Sequence, residues 1–131
     1  MSTTSILVVD DNPTNLKLVS DVLEFDGYRI LKAIDAEAAQ EVIQASPPDL
    51  ILMDLALPVM DGLTLTRLLK ADEKTRHIII VALTAFAMKG DEDKARAAGC
   101  DGYITKPIDT RKISGLVAGY LQRPKLPTLG S

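Results

Sequence analysis

The sequence has one cysteine and one histidine, Cys100 and His77. A single cysteine cannot form an intrachain disulfide, and no cysteine and histidine cluster has the spacing of a structural zinc site. We therefore expect a chain that folds in a reducing compartment, without a disulfide or a structural metal. His77 is predicted to lie in a loop, with no role as a phosphocarrier or ligand.

The sequence also lacks long apolar runs and long basic runs. No apolar stretch approaches the length needed to span a bilayer, and residues 1–5 are too short and polar for a signal peptide. The 15 basic residues are scattered among 18 acidic ones, for a net charge of −3, which disfavours nucleic acid or an anionic membrane as the partner. With 47% hydrophobic residues in 131, we expect one soluble, cytoplasmic globular domain.

Short apolar runs alternate with amphipathic segments, which is typical of βα units around a parallel sheet. Several runs are apolar on both faces, as strands covered by helices on each side are. Five strands are predicted, at residues 6–9, 29–33, 50–53, 78–83 and 102–105. The predicted fold class is therefore α/β with five βα units.

Five helices are predicted between and after these strands. Asn12 suits the N-cap of the first, Pro13 suits its first position, and Gly27 would end it. Three weaker helices are predicted at residues 36–45, 63–71 and 91–98. The last helix carries one apolar stripe that should face the sheet: Ile113, Leu116, Val117, Tyr120 and Leu121. Beyond it, residues 123–131 have no period and are predicted to be a short flexible tail.

Polar residues stand at the carboxyl ends of four predicted strands. Asp10 and Asp11 follow the first strand in ILVVDDN, Asp54 follows the third, Thr84 the fourth and Lys106 the fifth. In parallel α/β sheets, ligands bind outside the carboxyl ends of the strands, where the strand order reverses. We therefore expect these five side chains to converge at one edge of the sheet.

The chemistry of this set points to a cation and to phosphoryl transfer. Three crowded carboxylates repel each other unless a cation lies among them. Oxygen ligands from two or three carboxylates, with room left for water and a phosphoryl oxygen, suit Mg²⁺ better than zinc or calcium. A metal, an ammonium and a hydroxyl around a carboxylate are what phosphoryl transfer requires, and the carboxylate itself can be the nucleophile.

The stretches VVDDN, LILMDLALPVMDG and ALTAFAMKGDEDKARAAGCDGYITKPID resemble, in this order and spacing, the receiver domains of two-component response regulators. The resemblance covers nearly the whole chain and implies a receiver domain at residues 1–122, of the single-domain type. It implies a doubly wound, flavodoxin-like, three-layer fold with strand order 2-1-3-4-5. Asp54 would then be the phosphoacceptor, and Lys106 would contact the phosphoryl oxygens. Mg²⁺ would be held by Asp10, Asp11, Asp54 and the backbone carbonyl of Ala56.

The resemblance also implies switch residues. Thr84 would be the switch hydroxyl, and Tyr103 an aromatic ring that rotates on activation. The family commonly has a cis peptide bond where Pro107 follows Lys106 here. Family members tune hydrolysis at the positions of Ala56 and Phe86, and because neither residue can orient a water, a long-lived phosphorylated state is predicted.

The implied partners are proteins. A sensor histidine kinase or a histidine phosphotransfer protein would donate the phosphoryl group, and a downstream protein would be the target. The chain would phosphorylate and dephosphorylate itself rather than turn over a substrate, as a monomer or weak homodimer. No nucleic acid or membrane is implied.

Other functions stay open at this point. A small phosphatase of the haloacid dehalogenase type also uses an aspartate nucleophile, a lysine and Mg²⁺, but it needs an acid where this sequence has Asn12. A nucleotide or flavin binder would need a glycine-rich phosphate loop, which is absent. A scaffold that has lost phosphorylation is disfavoured because every key position is filled. Taken singly, Asp10 or Asp11 could be a helix cap, and Asp54 a turn residue, as Asp61 is expected to be.

Overall fold

The computed structural model describes residues 4–84 and 89–122 of the chain. Five strands form one parallel sheet in the order β2-β1-β3-β4-β5: Ser5–Val9 (β1), Arg29–Ala33 (β2), Leu50–Asp54 (β3), Ile79–Thr84 (β4) and Gly102–Thr105 (β5). The helices are Pro13–Phe25 (α1), Ala36–Ala45 (α2), Gly62–Ala71 (α3), Lys89–Ala98 (α4) and Ile113–Leu121 (α5). The predicted fold class and strand order are confirmed.

The core lies in two layers, one on each face of the sheet. Along β1, Leu7 and Val9 pack into one layer and Ile6 and Val8 into the other, which is the two-residue period of a strand. The first layer is completed by α2 and α3, and the second by α1 and α5. Strands β1 and β3 are buried along their whole length because helices cover both faces.

The first helix begins and ends as its sequence predicts. The side-chain oxygen of Asn12 accepts hydrogen bonds from the backbone N–H groups of Thr14 and Asn15, at 2.9 and 3.2 Å. Pro13 occupies the first helical position, and Gly27 follows the C-cap with φ of +98°. This positive φ is a conformation that glycine adopts without steric cost.

Six strand and helix boundaries differ from prediction by one or two residues. Strand β1 begins one residue earlier than predicted, at Ser5, and β3 and β4 each end one residue later, at Asp54 and Thr84. Strand β4 begins at Ile79 rather than Ile78, because the N–H of Ile78 donates to the carbonyl of Thr75 in the preceding turn. Helices α3 and α4 begin at Gly62 and Lys89, earlier than predicted. Phe86 and the predicted tail at residues 123–131 lie outside the described residues, and the domain boundary at residue 122 stays a prediction.

One residue that the sequence predicts to be buried is exposed, so that prediction is wrong. The predicted apolar stripe of α5 includes Leu116, but Leu116 is 44% exposed, whereas Ile113 and Val117 are fully buried. Successive residues are about 100° apart around a helix, so Leu116 lies at the margin of the stripe. There it borders a surface groove with Ile108.

Cys100 is partly buried against the core, and His77 is exposed in the turn before β4, where a loop is predicted. Within residues 4–84 and 89–122, none of the helices combines the length and apolar character that a bilayer crossing needs.

Candidate functional site

The carboxyl ends of β1, β3, β4 and β5 bring the predicted site residues to one edge of the sheet. Asp10 directly follows β1, Asp54 is the last residue of β3, and Thr84 is the last residue of β4. Lys106 directly follows β5. Because β1, β3, β4 and β5 are successive neighbours in the sheet, residues far apart in sequence become adjacent.

Three carboxylates form an acidic cluster at this edge. Asp10, Asp11 and Asp54 each offer one oxygen, and these oxygens lie within 4.8 Å of one another. Asp10 and Asp54 are buried, at 1% and 3% exposure, whereas Asp11 is exposed. Two carboxylates of the cluster are therefore buried, and the third is accessible to solvent.

Backbone groups hold one oxygen of each buried carboxylate. Asp10 Oδ1 accepts a hydrogen bond from the N–H of Asn12 at 2.9 Å, and Asp54 Oδ1 accepts one from the N–H of Ala56 at 3.0 Å. The N–H of Asp10 in turn donates to the carbonyl of Ala33, at the end of β2. The Oδ2 atoms are left to face the interior of the site.

The ammonium of Lys106 lies between the two Oδ2 atoms. Its Nζ is 3.3 Å from Asp10 Oδ2 and 3.2 Å from Asp54 Oδ2. The backbone N–H of Lys106 donates to the carbonyl of Thr84, and the Lys106–Pro107 peptide bond is cis, as the resemblance implies. The backbone of Lys106 is thus hydrogen-bonded to the last residue of β4.

Burial and charge act against each other in this site. Burial raises the pKa of Asp10; the Asn12 N–H and Lys106 oppose the rise, and Asp54 adds to it. Burial alone would lower the pKa of Lys106, but the carboxylates of Asp54 and Asp10 outweigh it, so its pKa is raised. Lys106 is therefore a fixed positive charge at neutral pH.

The site has the features of a place for a divalent cation. Three carboxylates stand against one ammonium, and crowded carboxylates repel each other most where they are buried, as two of these are. Among the described residues, Asp10 Oδ2 has no hydrogen-bond donor in good geometry, and its ion-pair partner is the Lys106 ammonium at 3.3 Å. A hard cation bound by these oxygens would offset the repulsion between the carboxylates and would be coordinated by Asp10 Oδ2. The donor set therefore fits Mg²⁺.

Gly62 shapes the loop that follows Asp54. A Cβ at this position would collide with the backbone oxygen of Asp54 and press on the side chain of Met53. The N–H of Gly62 donates to the carbonyl of Leu55, which closes residues 55–61 against the end of β3. Gly62 is not among the predicted site residues, although the MDG stretch is the sequence signal for a turn there.

The predicted switch residues lie on β4 and β5, and Ala56 lies two residues after Asp54. Thr84 is buried and lies opposite Thr105 in the β4–β5 register. Tyr103 is half-buried on β5, and its hydroxyl donates to Glu92 Oε2 on α4 at 2.9 Å. Ala56 is exposed, and the contact found for it is its N–H to Asp54. Glu92 was missed, because acidic and basic residues four apart on a helix indicate only a solvated face.

The chain is similar to known proteins in both sequence and structure. A profile of the family described as "Response regulator receiver domain" matches residues 6–118. The polar-differentiation response regulator DivK of Brucella ovis is 44% identical over 119 residues, which are 91% of this chain and 97% of that protein.

Solved structures give the same result. A CheY-like response regulator receiver domain protein from Methanospirillum hungatei JF-1 is 30% identical, with a TM-score of 0.82, covering 92% of this chain and 94% of that one. The chemotaxis response regulator CheY4 of Vibrio cholerae has a TM-score of 0.86 at 24% identity, covering 91% and 99%. The second likeness concerns the fold alone.

Proposed function

This chain belongs to the receiver domain family of two-component response regulators, and from this we propose that Asp54 accepts a phosphoryl group from a phosphohistidine on a partner protein. The observation that carries the proposal is the placement of Asp54. Its Oδ2 lies 3.2 Å from the ammonium of Lys106, and the oxygens of Asp10 and Asp11 are within 4.8 Å of its carboxylate. A nucleophile, a fixed positive charge and a cation site therefore share one pocket.

In the proposed reaction a carboxylate oxygen of Asp54 forms a bond to phosphorus. The phosphorus–nitrogen bond of the phosphohistidine breaks, and the imidazole leaves with the electron pair. Lys106 offsets the negative charge of the arriving phosphoryl oxygens. Water later cleaves the acyl phosphate, which releases inorganic phosphate and restores the carboxylate. The chain thus performs its own phosphorylation and dephosphorylation.

Mg²⁺ is the proposed cofactor. Asp10, Asp11 and Asp54 would hold it, with the backbone carbonyl of Ala56 as a further ligand. The buried Asp10 Oδ2, whose contact among the described residues is the Lys106 ammonium at 3.3 Å without good hydrogen-bond geometry, supports this assignment. When bound, the ion supplies charge neutralisation at the phosphoryl oxygens.

The proposed output is a change of protein contacts. Thr84 moves toward the phosphoryl group, Tyr103 turns inward, and the surface formed by α4, β5 and α5 changes its partner preference. The donor is a sensor histidine kinase or a histidine phosphotransfer protein, and the target is a downstream protein. With Ala56 and Phe86 unable to orient an attacking water, the phosphorylated state is long-lived.

The phosphatase alternative is not supported. The receiver match covers residues 6–118, and the position where that alternative needs an acid is Asn12. The side chain of Asn12 is committed to capping α1, and its N–H binds Asp10.

The experiment is phosphorylation by acetyl phosphate, with and without Mg²⁺, followed by intact mass spectrometry. We expect wild type to gain one phosphoryl group only when Mg²⁺ is present, and Asp54→Asn to gain none. Asp61→Asn is the matched control, because Asp61 is an exposed aspartate that caps α3 and asparagine caps equally well. This control should behave like wild type.

Two results would count against the proposal. One is equal phosphorylation of wild type and Asp54→Asn. The other is no adduct with either acetyl phosphate or phosphoramidate, since the latter carries the same phosphorus–nitrogen bond as phosphohistidine.

A further inference from the structure

A chain of three side chains joins strand β5 to helix α4. The hydroxyl of Tyr103 donates to Glu92 Oε2 at 2.9 Å, and Glu92 Oε1 accepts from Arg96 Nη2 at 2.8 Å. Both oxygens of the Glu92 carboxylate are therefore engaged, one by β5 and one by the next turn of its own helix. We call Arg96, Glu92 and Tyr103 the α4–β5 latch.

The latch lies next to the strand ends that form the site. Tyr103 pairs in register with Ala82 on β4, two residues before Thr84, and it precedes Lys106 by three residues. Helix α4 begins five residues after Thr84. A displacement of Thr84 would therefore act on β5 through the sheet, and on α4 through the latch itself.

The strength of the latch is intermediate. The Glu92 side chain is 34% exposed, so solvent screens its interactions only in part. Hydrogen bonds to a charged acceptor are stronger than those between neutral groups. Arg96 is 69% exposed and also lies 3.8 Å from Asp93. It therefore orients the Glu92 carboxylate but does not shield that carboxylate from solvent.

We propose that Glu92 is a positioning residue that holds the ring of Tyr103 against α4 and so opposes activation at Asp54. The inference rests on the proposed function, in which Tyr103 leaves this place when Asp54 is phosphorylated. A bond made in only one of two states stabilises that state, and its loss must favour the other. Removing the acceptor at residue 92 should therefore make the site easier to activate.

The test uses fluorine NMR of protein labelled with 3-fluorotyrosine. The chain has three tyrosines, so Tyr28→Phe and Tyr120→Phe identify the resonance of Tyr103. Beryllofluoride with Mg²⁺, a stand-in for the phosphoryl group, is titrated into wild type and Glu92→Ala. We expect Glu92→Ala to shift the Tyr103 resonance before any beryllofluoride is added. It should also lower the titration midpoint about fivefold, the lower end of usual coupling energies.

Three further variants give the measurement its control. Glu92→Gln keeps an acceptor oxygen and should return both readouts toward wild type. Asp93→Ala removes the same charge one residue away and also loses a contact to Arg96, but Asp93 has no bond to Tyr103, so it should match wild type. If Glu92→Ala is unstable, Glu92→Met replaces it, because methionine keeps the length without the acceptor.

The outcomes separate the inference from the function on which it rests. A responsive wild type with an unchanged midpoint in Glu92→Ala overturns the role of Glu92 and leaves the proposed function standing. Equal shifts in Glu92→Ala and Asp93→Ala would mean a general charge effect and overturn it too. A wild type that binds no beryllofluoride and gains no phosphoryl group from acetyl phosphate or phosphoramidate overturns both.

Discussion

The backbone N–H of Lys106 donates a hydrogen bond of 2.6 Å to the carbonyl oxygen of Thr84. This bond lies directly beyond the Thr84–Thr105 pair in the β4–β5 register, so the two strand ends are held together. The hydroxyl and the ammonium proposed to act on a phosphoryl group therefore stand on one edge of hydrogen-bonded backbone. Such placement on a sheet edge limits the reorganisation that the reaction needs.

Asp10→Asn should stabilise the protein at neutral pH when no divalent cation is present. Burial raises the pKa of Asp10, so the ionised carboxylate costs free energy in the folded state. The free energy of unfolding should rise by about 1 kcal/mol, or Tm by about 4 °C, in thermal melts with EDTA at pH 7.

The pH dependence of this gain has a definite sign. Because its folded-state pKa is raised, wild-type Asp10 takes up its proton at a higher pH than an ordinary aspartate does. The advantage of Asp10→Asn should therefore shrink as the pH falls through that raised pKa. Asp61→Asn, at an exposed cap, should show no such gain, and an Asp10→Asn protein less stable than wild type at pH 7 would contradict the prediction.

Mg²⁺ should stabilise the wild type and stabilise Asp11→Asn much less. A ligand that binds only the folded state adds about 1.4 kcal/mol at ten times its Kd. Asp11 is exposed, so its replacement should leave Tm in EDTA unchanged and reduce only the increase on adding MgCl₂. NaCl at matched ionic strength is the control, and an equal effect of both salts would exclude a specific site.

Ser20→Ala should raise stability. Ser20 is fully buried in α1, and its hydroxyl has no hydrogen-bond partner among the described residues. Removing such a group should add about 1 kcal/mol to the free energy of unfolding, measured by urea titration.

Thr66→Val should lower stability, the opposite of the effect expected for Ser20→Ala. The hydroxyl of Thr66 is buried and donates to the carbonyl of Gly62 at 2.7 Å. Valine keeps the shape and loses this bond, so stability should fall by about 1 kcal/mol. If both substitutions changed stability in the same direction, the difference in hydrogen bonding would not be the cause.

Val59→Gly should also raise stability. Val59 is fully exposed in the loop after Asp54, with φ of +67°, a conformation unfavourable for a β-branched residue. Relief of about 1–2 kcal/mol of strain exceeds the flexibility that glycine adds to the unfolded chain, for a net gain of about 1 kcal/mol. Val59→Ala keeps the strained backbone and should show little gain in Tm. An equal gain in both variants would assign the effect to the lost side chain.

Local features of the sequence were enough for most of the fold. The alternation of strands and helices, the Asn12 cap and the end of α1 near Gly27 depend on residues close in sequence, and the structure confirms them. The predicted family is confirmed by the match over residues 6–118. The roles of Asp54, Lys106, Thr84 and Tyr103 stay predictions. The three carboxylates predicted to converge do lie together in the structure.

By itself, the sequence determined which residues form strands, which face of most helices is apolar, and which polar residues stand at the strand ends. These properties follow from the periods of helices and strands and from turn chemistry. Only the tertiary structure decided that Lys106 lies between two buried carboxylates, that Tyr103 is bound to Glu92, and that Leu116 is exposed. Such contacts depend on how separate elements pack, and packing is set by the whole chain at once.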